Sequence, residues 1–417
     1  MTRSTKVALT GFLGVVGLSF VFTQGCGQAF KINQKPGSEV LLSIEPPAAV
    51  STPPPVSPLQ VEQVALHAGK IRLARADSTD FNIFSSSSDI SVQQSVNQLF
   101  QRLFVYSPGF DSKISWYDRG WAYTSLYGIP VSEANATNDL FILRDQSGNR
   151  LFLEPNVYAA NILDSNYRNY WIERAKALVG KGYRGLFIDD VNLSLVTINA
   201  AGSSTAAFQN GIQISLLEWQ NAVGLFTENI RSAFPLIEIV HNSIWSADVA
   251  GNFMSDFQTR VINSAQLQFI ESGIHQVGLT GGTLGTMTIQ QQKKFIDRVH
   301  SLNRSVVLGG IPAGASEKEY AAAYYYLFSN ATDYLSDNGI APGAQFAGYG
   351  LDLGTPLAPA IRDGSVWSRQ FAKGYVILNE PGGFLQNVTT MGYKDIRGIT
   401  NSFSLPAKSG LILIPAQ

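Results

Sequence analysis

Apolar residues along this chain recur with two periods. From Leu216 to Phe234 the positions Leu216, Trp219, Val223, Phe226, Ile230 and Phe234 step by three and four, and the run stops at Pro235. That spacing draws one apolar stripe on a helix, which must lie against a sheet. Tyr167 to Val179 repeats the pattern after Asp164 and Ser165, both cap candidates, and ends at Gly180 and Gly182. A third helix is expected to open on a capping box, Ser316 and Glu319, and to run through "YAAAYYYLF".

Eight runs of strand length lie between the helical segments: Ile71 to Asp77, Leu103 to Tyr106, Trp121 to Tyr127, Leu186 to Asp190, Ile237 to Asn242, Leu267 to Glu271, Val306 to Gly310 and Thr332 to Ser336. Strands alternating with helices favour a parallel sheet covered by helices. Eight of them predict an α/β chain folded as a (β/α)8 TIM barrel. A doubly wound open sheet would show the same alternation, but no Gly-x-Gly-x-x-Gly follows the first strand, and "TGGTLGT" at 280 to 286 has the wrong spacing for a phosphate cradle. The last fifty or so residues read differently, as "GYVILNE", "FLQNV" and "GLILIP" separated by Gly and Pro, and predict a small C-terminal β appendage packed on the barrel.

Composition narrows the class. With 417 residues, 45% of them hydrophobic, the chain can bury a large core. A formal net charge of −1, with no long basic run, supplies no field for nucleic acid or an anionic membrane. The first 26 residues carry Arg3 and Lys6, then an apolar run from Val7 to Phe22, then Thr-Gln-Gly-Cys26, the layout of a secretory signal. Cys26, the only cysteine, sits where a lipoprotein signal peptidase would leave a new N-terminal Cys for acylation, although Thr23 stands where a bacterial lipobox usually has Leu. The expected organisation is a signal over 1–26, a Pro-rich tether over 27–67, a barrel over 68–365 and C-terminal β elements over 366–417. The location expected is the bacterial cell envelope, lipid-anchored or secreted, with membrane contact only through the lipid and a monomeric chain. No second cysteine is present, so no intrachain disulfide can form.

Polar residues gather where the predicted strands end, the side on which barrel enzymes keep their sites. Strand four ends in Asp189-Asp190, strand five in His241-Asn242, strand six in Glu271 and strand one in Asp77, and strand eight runs into Asp337-Asn338. Side chains alternate along a strand, so Asp189 and Asp190 face opposite ways and only one can point at the barrel axis. The plain reading of the pair is a helix cap or an ion pair. The chemical reading is that Asp189 and Glu271 are the two carboxyl groups that glycosidic cleavage needs, one on each side of the scissile bond. "SWYDRGWAYTSLYG" and Trp245 add aromatic faces on which sugar rings pack, while Asn and Asp bond hydroxyls. Asp77, Tyr117, Asp190, Asn242, Trp245 and Asp337 are the candidate sugar contacts, Tyr117 and Trp245 the favoured aromatics. The four histidines have no metal-ligand spacing and no Gly-x-Ser-x-Gly elbow occurs, so neither a metal nor a cofactor is expected.

The run "NDLFILRDQSGNRLFLEPNVYAANILDSNYRNYWIERAKALVGKGYRGLFIDDVN", followed by "IVHNSIW", "QFIESG", "DLGTPLAP" and "RQFAKGYVILNEP", resembles the TIM-barrel glycoside hydrolases related to endo-α-1,4-polygalactosaminidases, over roughly residues 70 to 415. The resemblance implies the barrel fold and a glycosidase-like site; joined to the N-terminal signal, it leads to the expectation of a secreted glycoside hydrolase acting on an extracellular or cell-envelope polysaccharide. By position it makes Asp189 and Glu271 the catalytic pair, with Asp190 a supporting or sugar-binding residue. The Gly/Ser/Ala-rich insert "SLVTINAAGSSTAAFQNGIQI" is expected to form a loop over the cleft. The rival reading is a non-catalytic carbohydrate-binding lipoprotein on a degenerate barrel, since fold alone does not establish activity.

Overall fold

A computed structural model describes residues 41–44, 69–76, 90–243, 255–271, 288–310, 314–337 and 346–416. Eight parallel strands, β1 (Leu73–Ala76), β2 (Arg102–Val105), β3 (Gly120–Ser125), β4 (Gly185–Asp189), β5 (Glu238–Asn242), β6 (Leu267–Ile270), β7 (Ser305–Gly310) and β8 (Tyr334–Asp337), pair in chain order and close, β8 beside β1. They are the eight strands expected from the apolar runs. Helices α1 (Ile90–Leu99), α2 (Ser165–Gly180), α3 (Leu216–Ala233), α4 (Asp256–Asn263), α5 (Ile289–Ser301) and α6 (Ala315–Phe328) separate them.

Local sequence explains the helix starts. Asp164 caps α2 by accepting from the Asn166 N–H, and Ser215 with Glu218 forms a reciprocal capping box on α3. The capping box expected at Ser316 and Glu319 does not form. Gly314 is the N-cap of α6, so Ser316 lies inside the helix, and Glu319 Oε1 instead accepts from the Ile412 N–H at 3.2 Å. That bond ties the barrel to the C-terminal sheet. Six of its strands are β9 (Ile361–Asp363), β10 (Val366–Phe371), β11 (Gly374–Asn379), β12 (Gln386–Asp395), β13 (Thr400–Leu405) and β14 (Ser409–Pro415). Gly410 lets β14 close on α6, since a Cβ there would meet Ala323 Cβ and Tyr320 Cα at 2.8 Å. Leu41–Ile44, within the segment expected as a tether, adds a strand parallel to Asn387–Thr390.

Period two fills the barrel interior. Ala74, Phe104, Trp121, Phe187, Val240, Leu267, Phe269, Val307 and Tyr334 point inward, while their strand neighbours pack outward on the helices. Phe104, Phe187 and Phe269 meet with ring centroids 4.4, 5.2 and 5.4 Å apart and plug the barrel. Below them, at the strands' N-terminal end, Glu238 accepts from Arg102 Nε and Nη2, Trp121 Nε1 and Arg184 Nε at 2.7–3.1 Å. Burial would push this carboxyl up, but those hydrogen bonds more than offset it and hold its pKa down to about 2.

Because the folded pKa lies below the ordinary glutamate value, this stabilisation is complete above that value and fades as pH falls through about 2. Glu238→Gln is therefore expected to cost about 2 kcal/mol in urea unfolding at pH 7, with the deficit shrinking toward pH 2. Equal stability of the two proteins at pH 7 would contradict it.

Candidate active site

The alternation that fills the barrel also builds its C-terminal end. Phe187 points inward, so Asp189 does; Val240 points inward, so Asn242 does; Phe269 points inward, so Glu271, one residue past β6, does. The same parity carries Phe104 to Tyr106 and Trp121 to Tyr123. Strand register sets the heights: Ser125 pairs with Asp189 across β3 and β4, and Asn242 pairs with Phe269 across β5 and β6.

Asn242 joins the two acids. Its Nδ2 donates to Asp189 Oδ1 at 2.9 Å and to Glu271 Oε2 at 2.8 Å. Two carboxylates demand donors, which fixes which way the amide faces. These two acceptor oxygens can be no farther apart than the two bonds laid end to end, about 5.7 Å. Asp189 also accepts from the Tyr123 hydroxyl on Oδ2 and from the Asp190 N–H on Oδ1, both at 2.9 Å. Tyr106 packs at a tilt against Tyr123 with ring centroids 4.5 Å apart.

Asp190 breaks the alternation of the strand. Its φ of 61° lies in the left-handed region, which Asp tolerates, and its Oδ2 accepts from Ser125 Oγ at 2.7 Å. Burial and then the Asp189 charge push its pKa well above the carboxylate range. Burial also raises Asp189, opposed by its bonds from Tyr123, Asp190 N–H and Asn242. Glu271, more exposed, is raised by burial and by the Asp189 charge against a single bond from Asn242. His241 faces the opposite way from Asn242 and is fully buried; burial, aided by the Arg231 charge, pushes it down to about 3, so it is neutral and takes no part in the cleft.

Four of the eight carbohydrate-site candidates therefore meet: Asp189, Glu271 and Asn242 face one another, with Asp190 beside them. Tyr117 does not reach this end. It precedes β3 at the strands' N-terminal side, is buried, and its hydroxyl donates to Phe100 O at 3.1 Å, which makes it a core residue. Asp337 does not reach it either. One step out of phase with inward Tyr334 and Ser336, it is buried outside the barrel and accepts from the Tyr349 hydroxyl at 2.7 Å. Asp77 and Trp245, like Cys26, lie outside the described residues. Among the described residues no group of His, Cys, Asp and Glu is arranged to hold a metal ion. Tyr106, Tyr123 and exposed Glu154, whose pKa is raised by burial and by the Asp189 charge, complete the polar surroundings. Counting in twos from Phe104 and Trp121 finds the tyrosines. Glu154 sits beside a hairpin turn, where no strand parity applies.

The insert after β4 is not one open loop. Phe208–Gln209 pairs with Ile212–Gln213, and Ile198 and Phe208 bridge to Phe152 and Arg144.

A closed eight-stranded barrel carrying two acids bound to one amide at its C-terminal end fits the glycosidase class. A family model described as hypothetical glycosyl hydrolase family 15 matches residues 104–375, and the chain belongs to that family. It is a glycoside hydrolase. No curated protein sequence matches it. Similar solved structures include the glycoside hydrolase domain of PelA from Pseudomonas aeruginosa, 12% identical over 65% of this chain and 96% of that one, TM-score 0.40. Others are a maltogenic α-amylase, AmyB, from Thermotoga neapolitana (10%, 83% and 99%, 0.47) and a trehalose-6-phosphate hydrolase from Bacillus licheniformis (10%, 84% and 100%, 0.46).

A carboxyl raised by folding is best tolerated at low pH, below its unfolded value, and costs stability once pH climbs above it. Asp190→Asn, which keeps an acceptor for Ser125 and suits positive φ, is expected to stabilise the protein at pH 7 by on the order of 1 kcal/mol. The gain should vanish toward pH 3 in thermal melts; a destabilised variant at pH 7 would contradict it.

Proposed function

We propose that the protein cleaves glycosidic bonds of an extracellular or cell-envelope polysaccharide, with retention of anomeric configuration, using Asp189 as nucleophile and Glu271 as acid/base. The observation that carries this reading is the pair of hydrogen bonds donated by Asn242, which holds the two acids close together. Retaining enzymes keep their carboxyl groups about 5–5.5 Å apart, whereas inverting ones leave about 6.5–9.5 Å for a water. The upper bound of about 5.7 Å between the Asn242-bound oxygens favours the former.

Environment separates the roles. Three donors favour the ionised form of Asp189, as a nucleophile requires. Glu271 has one donor among the described residues and faces the Asp189 charge, which favours its protonated form, as a general acid requires. Asp189 attacks the anomeric carbon while Glu271 gives its proton to the departing oxygen. Water, deprotonated by Glu271, then displaces Asp189 from the glycosyl ester. A purely sugar-binding barrel has no need for two acids locked on one amide, so the non-catalytic reading gains no support from this geometry. Secretion and lipid attachment through Cys26 rest on the N-terminal sequence, and would place the enzyme at the bacterial envelope as a monomer with no cofactor.

Asp189→Asn and Glu271→Gln are each expected to lower release of reducing ends from microbial exopolysaccharides by about 10²–10⁴-fold, with melting curves retained. Wild-type activity should follow a bell in pH. Both limbs should be displaced upward from the groups' ordinary values, because both groups are raised; the acid limb marks protonation of Asp189 and the alkaline limb loss of the Glu271 proton. Undiminished turnover by either amide variant, on a polysaccharide the wild type cleaves, would overturn that residue's role.

A further inference from the structure

The two oxygens of Asp189 are held differently. Oδ1 accepts from two N–H groups, Asn242 Nδ2 and the Asp190 backbone, each at 2.9 Å. Among the described residues Oδ2 accepts from one hydroxyl, that of Tyr123, at 2.9 Å. A backbone N–H cannot turn aside. A phenolic proton can, because it rotates about its C–O bond. The Tyr123 ring itself is fixed, with Tyr106 4.5 Å away on one side and Phe187 stacked at 5.9 Å.

From this asymmetry, and resting on the reading of Asp189 as nucleophile, we infer that Tyr123 is a positioning residue that makes Oδ2 the attacking oxygen and promotes breakdown of the glycosyl ester. When an ester forms on Asp189, one oxygen becomes its carbonyl and the other its bridge to the sugar. The carbonyl remains a good acceptor, and the bridging oxygen becomes a poor one. Only attack through Oδ2 leaves both fixed N–H donors on the carbonyl.

In the first step an Oδ2 electron pair forms the bond to the anomeric carbon, and the departing oxygen leaves with its bonding pair and takes the Glu271 proton. Tyr123 then loses its anionic acceptor. In the second step water oxygen bonds to the same carbon and its proton goes to Glu271. The pair of the carbon–Oδ2 bond returns to Oδ2, where the charge reappears and Tyr123 donates again. A hydrogen bond to a charged oxygen is roughly twice as strong as a neutral one. Tyr123 therefore stabilises the free carboxylate over the ester and speeds its release. Among the described residues the other ionisable groups that interact with the Asp189 charge are Tyr106, Tyr127, Asp190, Glu154 and Glu271, and the three acids can only oppose its charge once ionised.

Tyr123→Phe keeps the ring and removes the donor. Modification of Asp189 by carbodiimide and glycinamide, followed by peptide mass spectrometry across pH, needs no substrate; its midpoint is expected to rise by about one pH unit in the variant. On a polysaccharide cleaved by the wild type, kcat and KM should fall together, by about tenfold. Intact mass should show a glycosyl adduct that the double variant Tyr123→Phe, Asp189→Asn lacks. An unmoved midpoint, or a lower kcat with unchanged or higher KM and no adduct, overturns this inference alone. Full hydrolysis by Asp189→Asn overturns the nucleophile reading and this inference with it.

Discussion

A single amide nitrogen holds this site together. Asn242 Nδ2 has two protons and gives one to each of two acids borne by the flanking strands, β4 on one side and β6 on the other. That arrangement exists only if three neighbouring strands present their last inward residue at nearly the same height. Parallel pairing and period two satisfy the condition, because Phe187, Val240 and Phe269 already occupy the inward positions two residues earlier. The aromatic plug and the polar site are successive layers of one pattern.

The two ends of the barrel treat buried charge in opposite ways. At the N-terminal end Glu238 has four donors and an arginine on either side, and folding lowers its pKa. At the C-terminal end Asp189, Asp190 and Glu271 crowd together, no cation among the described residues donates to them, and folding raises all three. The first arrangement stabilises the fold. The second costs stability, and perturbed carboxyls gathered at one end of a barrel are what acid–base chemistry requires.

Much of this was legible in the sequence because inward and outward positions of a buried strand carry different chemistry. "GLFID" and "LQFI" followed by Glu271 announce both acids, and the eight apolar runs announce the barrel. Where parity and height along the strand were not applied, the reading went astray. Tyr117 has the same parity as Trp121 but precedes the strand at its N-terminal end, whereas Tyr123, two residues after Trp121, reaches the site. Asp337 ends a strand, as Asp189 does, but counting from Tyr334 sends it outward. Tertiary bonding was illegible for a different reason: Glu319 looked like half of a capping box, and its partner, the Ile412 N–H, lies far along the chain. The bridge that Asn242 makes between the two acids follows only from the closed barrel.

The claim on which the enzymology depends is that the two acids stand close enough for direct attack, with no water between the nucleophile and the sugar. Proton NMR of the first product released from a cleaved oligosaccharide, recorded before mutarotation, measures this through its anomeric configuration. The account predicts that the new reducing end keeps the configuration of the bond that was broken. An inverted product would contradict it.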